Sequence, residues 1–266
     1  MRKAAALVAA MALALAGCAR GPLEETAAEL GDVRSGIVDL SVVATAAGGE
    51  RTGFRIQGPF AMPEGEGLPD ADLTYTRYVG TAEDTFGFVS TGDAAFLRVG
   101  RQAYRLPDDR IAAMRGSEDA GRRGPFSGLD LDDWVPEAEV VASPDNADTE
   151  TVSGELDVVT AVNDMLAIAR DYGGVDRADI EGDDAEQLRR AVREARLELV
   201  TGKEDRILRS LVVTVDFGRE PPEGFRRALE GLTGVNFTLQ LRLAEPNSDV
   251  SVEAPANALP YERLGR

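Results

Sequence analysis

Apolar and polar residues alternate one by one through much of this chain, and a period of two predicts β-strands with one solvated face. From Ile37 onward Val38, Leu40, Val42 and Ala44 fall on one side, with Asp39, Ser41 and Thr45 on the other. Phe54, Ile56, Phe60 and Met62 repeat the pattern opposite Arg55 and Gln57, with a break at Gly58-Pro59. Leu73, Tyr75 and Val79 continue it, then Phe86 and Phe88, then Ala94–Val99 and Gln102–Leu106. Gly48-Gly49, Ser90–Asp93 and Gly100-Arg101 read as hairpin turns between these runs. The first half therefore predicts about six antiparallel strands.

Over residues 107–150 the alternation lapses. Asp108–Met114 predicts a helix of one or two turns, Arg115–Gly128 a loop rich in glycine and charge, and Leu129–Val135 carries the chain's single tryptophan. Pro144–Asp148 is a turn before a strand at Thr151–Val159. The period then changes to that of a helix over Val162–Tyr172, with Val162, Met165, Leu166 and Ala169 on one face and Gly173-Gly174 as the stop. A second helix runs from Asp183 to about Ala195, acidic at its start and rich in arginine later, as the helix dipole favours. Arg196–Thr201 and Arg206–Phe217 form a hairpin about Gly202–Asp205, with Leu211, Val213, Val215 and Phe217 on one face. Pro221–Leu232 predicts a short helix. In Asn236–Ala244, Phe237, Leu239, Leu241 and Leu243 alternate with polar residues, and Val250–Ala254 predicts a last edge strand.

This order is strands, a helical insertion, then more strands. It is an α+β pattern and not βαβ, so a parallel sheet is not expected. One long, strongly curved antiparallel sheet accommodates it, its apolar side concave and a few helices laid across that side. So few helices leave two outcomes open, a collapsed core or an apolar cavity of the kind that receives hydrophobic ligands.

The N-terminus adds an address. Arg2 and Lys3 precede an uncharged apolar run, Ala4–Ala16, of about 13 residues, too short to span a bilayer and of signal-peptide length. Leu15-Ala16-Gly17-Cys18 follows, resembling the bacterial lipobox, which implies cleavage before Cys18 and a lipid on its thiol. Residues 1–17 are then a signal peptide, 18–34 a tether with a helix near Glu24–Leu30, and 35–266 the folded domain. Two or three acyl chains hold a protein firmly where one does not. The expected location is the extracytoplasmic face of the cell membrane, in the cell envelope.

Composition narrows the chemistry. The chain has 29 basic and 47 acidic residues, a net charge of −18, and loss of residues 1–17 removes two more positive charges. Such a balance excludes nucleic acid as a partner and argues against electrostatic docking on anionic lipid. Cys18 is the single cysteine, so no disulfide forms, and there is no histidine. Histidine-based triads, proton shuttles and metal sites are therefore excluded. Gly202-Lys203 is not a phosphate loop, because Leu197 stands where the first glycine belongs and Glu204 replaces the hydroxyl residue. Asp179, Glu181 and Asp183 have the opening spacing of a calcium loop, but Asp184 and Arg190 occupy positions that need glycine and glutamate. Asp130, Asp132 and Asp133 read as a solvated loop face. No metal and no cofactor is expected.

With the lipobox, the stretches Ser35–Val42, Val89–Phe96, Val152–Asp157 and Thr201–Arg209 resemble the LppX/LprG type of actinobacterial lipoprotein and, more broadly, the LolA/LolB superfamily. The resemblance implies a half-barrel of about 10 or 11 antiparallel strands, closed by helices, around a cavity for acyl chains of lipids, glycolipids or lipoproteins. It implies no catalysis and an envelope transporter as a further partner. It supplies no short binding motif. The inward positions of the alternation supply the candidates instead: Val38, Leu40, Val42, Phe54, Ile56, Phe86, Phe88, Leu211, Val213, Phe237, Leu239 and Leu241, with Met165 and Leu166 on a covering helix. Two other readings stay open, a non-enzymatic sensor or interaction module of the same fold and a hydrolase working through paired carboxylates.

Overall fold

The computed structural model describes residues 21–63, 65, 67–114, 131–142, 148–171, 179–218 and 235–264. Cys18, the loop at 115–128, the turn at 144–147, the glycines at 173–174 and the expected helix at 221–232 lie outside them.

The alternating runs between Val38 and Ala244 become strands of one open sheet, which short edge strands extend. They are β1 (Ser35–Thr45), β2 (Arg51–Ala61), β3 (Asp70–Gly80), β4 (Ala82–Ser90), β5 (Ala95–Val99), β6 (Gln102–Arg105), β7 (Glu139–Ala142), β8 (Thr149–Glu155), β9 (Val192–Gly202), β10 (Leu208–Phe217), β11 (Asn236–Ala244) and β12 (Leu259–Pro260). The order is β12-β6-β5-β4-β3-β2-β1-β11-β10-β9-β8-β7, so β1 and β11 close the two halves against each other at the centre. Every pairing is antiparallel except that of the two-residue β12 with β6. The sheet has 12 strands where about ten or eleven were expected, the additions being the short edge strands β7 and β12.

The register puts the apolar positions of neighbouring strands in common rows. Leu211, Leu241, Leu40, Ile56, Tyr75 and Phe86 make one such row across six strands. Val213, Leu239, Val42 and Phe54 make the next. A one-residue slip would turn either row to solvent, which is why the pattern fixes the register.

Five helices are described: α1 (Pro22–Gly31), α2 (Asp108–Met114), α3 (Leu131–Trp134), α4 (Val158–Asp171) and α5 (Gly182–Ala191). They cover the face that carries these rows, hereafter the inner face. Leu23 and Leu30 of α1, Trp134 of α3 and Leu188 of α5 are almost wholly buried with Leu211, Leu241 and Leu197. Ile111 of α2 packs separately with Leu68 and Ala95.

Several boundaries differ from the sequence reading, each for a local reason. Helix α1 is packed into the body, with a Thr26 Oγ1–Thr201 Oγ1 hydrogen bond of 3.1 Å and an Arg206–Glu25 ion pair of 2.9 Å. The folded part therefore starts at Pro22 and not at residue 35. Helix α4 starts at Val158, not Val162, because Asp157 Oδ1 accepts hydrogen bonds from the Val159 and Thr160 amides and so ends β8 at Glu155. Helix α5 stops at Ala191, where the alternation of Ala195, Leu197 and Leu199 takes over as β9. Val250–Ala254 is not a strand. The chain after β11 is held to Ser35 by the Asn247 amide and reaches the sheet again at β12.

Candidate functional site

At one end of the inner face the strands and α4 do not meet. A partly open cavity of about 270 Å³ lies between β1, β2, β10 and β11 on one side and α4 on the other. Strand residues Val42, Ala44, Phe54, Val213, Val215 and Phe237 form its floor, and Phe217 and Leu156 close an end. Val158, Ala161, Val162 and Met165 form its roof, an i, i+3, i+4, i+7 stripe of one helix face. Thr52 is the one polar side chain in the lining.

Small residues on both walls account for the space. Ala44 and Gly53 stand in the floor and Ala161 in the roof, and none of them carries a side chain beyond Cβ to fill the gap. Gly53 is required by its backbone: φ is +140°, and a Cβ there would lie 2.0 Å from the Val42 carbonyl oxygen. Elsewhere on the inner face the bulk of Leu23, Leu30, Trp134 and Leu188 fills the equivalent volume.

The sequence candidates divide between lining, core and surface. Val42, Phe54, Met165, Val213 and Phe237 line the cavity. Val38, Leu211, Leu239 and Leu241 face inward as expected but belong to the core cluster and not to the cavity lining. Leu40 packs partly buried against that core, and Ile56 is half-buried beyond the cavity. Phe88 belongs to the separate cluster under α2. Phe86 is 36% exposed and ends a row of rings, 4.7 Å from Tyr75, which stands 5.9 Å from Phe54. Leu166 is half-buried and is not among the lining residues. Ala44, Val215, Phe217 and Val162 had been placed on the right faces without being named as candidates. Leu156, Val158 and Ala161 were missed because the start of α4 was set one turn late.

Behind the floor the two central strands are clamped. Arg55 Nε and Nη2 donate to the Asp39 carboxylate at 2.8 and 2.6 Å on the outer face of β1 and β2. This hydrogen-bonded guanidinium holds the Asp39 carboxyl below its ordinary range, against the opposing effect of burial, and the carboxylate in turn raises Arg55. The roof is pinned as well: the buried Trp134 indole Nε1–H donates to Asp164 Oδ2 of α4 at 2.7 Å.

A second opening of about 580 Å³ shares Leu156 and Val158 with the cavity and is charged, holding Glu137, Glu155, Asp157, Glu194, Arg189 and Arg193. Both arginines pair with acids outside the cleft lining, Glu186 and Asp216, and Asp157 is engaged in capping α4. Among the described residues no group of three Asp, Glu, Cys or His side chains gathers as metal ligands. No described helix is long and apolar enough to cross a membrane.

No family profile and no curated protein matches the chain. Among solved structures the chain is similar to the crystal structure of LprF from Mycobacterium bovis, at 12% identity and a TM-score of 0.46, over 89% of this chain and 96% of that one. It is also similar to a LolA superfamily protein from Nitrosomonas europaea, at 10% identity and a TM-score of 0.22, over 88% and 93%.

Proposed function

We propose that this protein binds the acyl chain of a lipid or acylated ligand in the cavity under α4 and carries it at the cell envelope without chemical change. The observation that carries the reading is the cavity's lining, apolar at every side chain but Thr52. Each buried methylene contributes about 0.8 kcal/mol to binding, and such a lining asks for no polar partner in return. An apolar cavity of about 150 Å³ takes one benzene ring, so 270 Å³ holds roughly ten carbons of a chain. Curvature of the open sheet into a half-barrel, with α4 as a lid, belongs to the same reading.

The anchor supports it. With Cys18 lipidated, the four steps to Pro22 at the start of α1 span at most about 14 Å. The body would then stand next to the membrane that supplies its ligand, and an envelope transporter would be the partner that receives or delivers it. Labelling with radioactive palmitate tests the anchor: Cys18→Ser should abolish the label and release the protein. The cavity is tested by delipidating the protein and titrating a fluorescent fatty acid, which should bind saturably at one site. Absence of any saturable binding overturns the carrier reading.

A further inference from the structure

The row of residues that forms the cavity floor ends on a charge. Val213, Leu239, Val42 and Phe54 are successive partners across β10, β11, β1 and β2, and the next two partners are Arg77 on β3 and Asp84 on β4. Directly opposed residues of antiparallel strands share a face, with Cβ atoms about 4.5–5.5 Å apart. Arg77 therefore rises beside Phe54, at the edge of the cavity. The rows on either side hold Ile56, Tyr75 and Phe86 in one case and Thr52, Val79 and Ala82 in the other, with no charge among them.

Arg77 is exposed, and among the described residues neither its side chain nor that of Asp84 has a hydrogen-bond or ion-pair partner. Three cations on the outer face of β2 and β5 are paired. Arg51 pairs with Glu83, Arg55 with Asp39 and Arg98 with Asp72. Arg77 stands instead on the inner face beside an apolar cavity, with no acid paired to its side chain among the described residues.

We propose that Arg77 receives the anionic end, a carboxylate or phosphate ester, of a single-chain amphiphile whose tail fills the cavity. This rests on the lipid-binding reading and names the head group that the site selects. A tail of roughly ten carbons brings its polar end out at the rim where Arg77 stands. The guanidinium offers paired donors in a geometry that matches a carboxylate or phosphate. Asp84, directly across the strand pair, opposes an anion there and keeps the preference modest.

Titration calorimetry on the delipidated full chain, with dodecanoate, dodecyl phosphate and dodecanol, tests this. An exposed charge pair is worth up to about 1 kcal/mol, so the better anion should bind up to about fivefold tighter than the alcohol. Arg77→Gln should erase that difference and leave dodecanol unchanged, while Asp84→Asn should widen it. The stronger of the two anions identifies a free fatty acid or a phosphorylated head as the source. Equal binding of anion and alcohol, or a preference that survives Arg77→Gln, overturns the head-group assignment alone. Failure of all three probes to bind overturns the cavity reading with it.

Discussion

The Trp134 indole donates its hydrogen to the Asp164 carboxylate at 2.7 Å, and Asp164 immediately precedes Met165 in the cavity roof. The contact joins α3 to α4, so it sets where the roof stands above the floor. Trp134 is 1% exposed, which leaves its N–H no water to turn to if the acceptor goes. Asp164→Ala should cost about 1–3 kcal/mol, read from urea unfolding. It should also red-shift the emission of this single tryptophan and weaken fatty-acid binding. An unchanged unfolding midpoint would show that the roof is held by packing alone.

Helix α1 was read from the sequence as part of a tether, and its burial makes a contrary demand. Leu30 has no exposed surface, and its neighbours are core residues. Leu30→Ala should cost about 2–5 kcal/mol in urea or thermal unfolding, as a large buried truncation does. A tether residue would cost nothing measurable.

The clamp behind the cavity floor gives a pH dependence whose sign follows from Asp39. Its carboxyl is held below the ordinary value by Arg55, so the folded state favours the ionised form. The stabilisation is fully present above the unfolded value, near pH 4, and is lost as pH falls through the depressed folded value. Asp39→Asn should therefore lower the urea midpoint at pH 7, while the gap to the unsubstituted protein closes toward pH 2. A gap of equal size at both pH values would assign the effect to something other than the ion pair.

Alternation made most of the sheet legible. A period of two both marks a strand and chooses its buried face, so Val38, Leu40 and Val42, or Leu211, Val213 and Phe217, could be assigned inward without coordinates. The same rule cannot say whether an inward residue meets another side chain or empty space. Leu239 and Phe237 lie two apart on one face of β11, yet the first closes the core and the second lines the cavity. Leu239 belongs to the cluster that the bulky residues of α1, α3 and α5 fill, whereas Phe237 lines the space that Ala161 also lines. That is a property of packing between distant segments, which no local pattern encodes. The start of α4 was misplaced for a smaller reason: Val158 and Val159 prolong the apolar run of β8, and only the Asp157 cap divides strand from helix.

The proposed function puts an acyl chain in the space beneath α4. Ala161 lines the roof, so a ring placed there enters the cavity. Native mass spectrometry of the delipidated protein with decanoate should show a one-to-one complex, and Ala161→Phe should lower its affinity at least about tenfold. The thermal midpoint should change little, because the added ring enters existing space instead of displacing packed side chains. Decanoate binding of equal strength in Ala161→Phe, or no complex with either protein, would contradict the account.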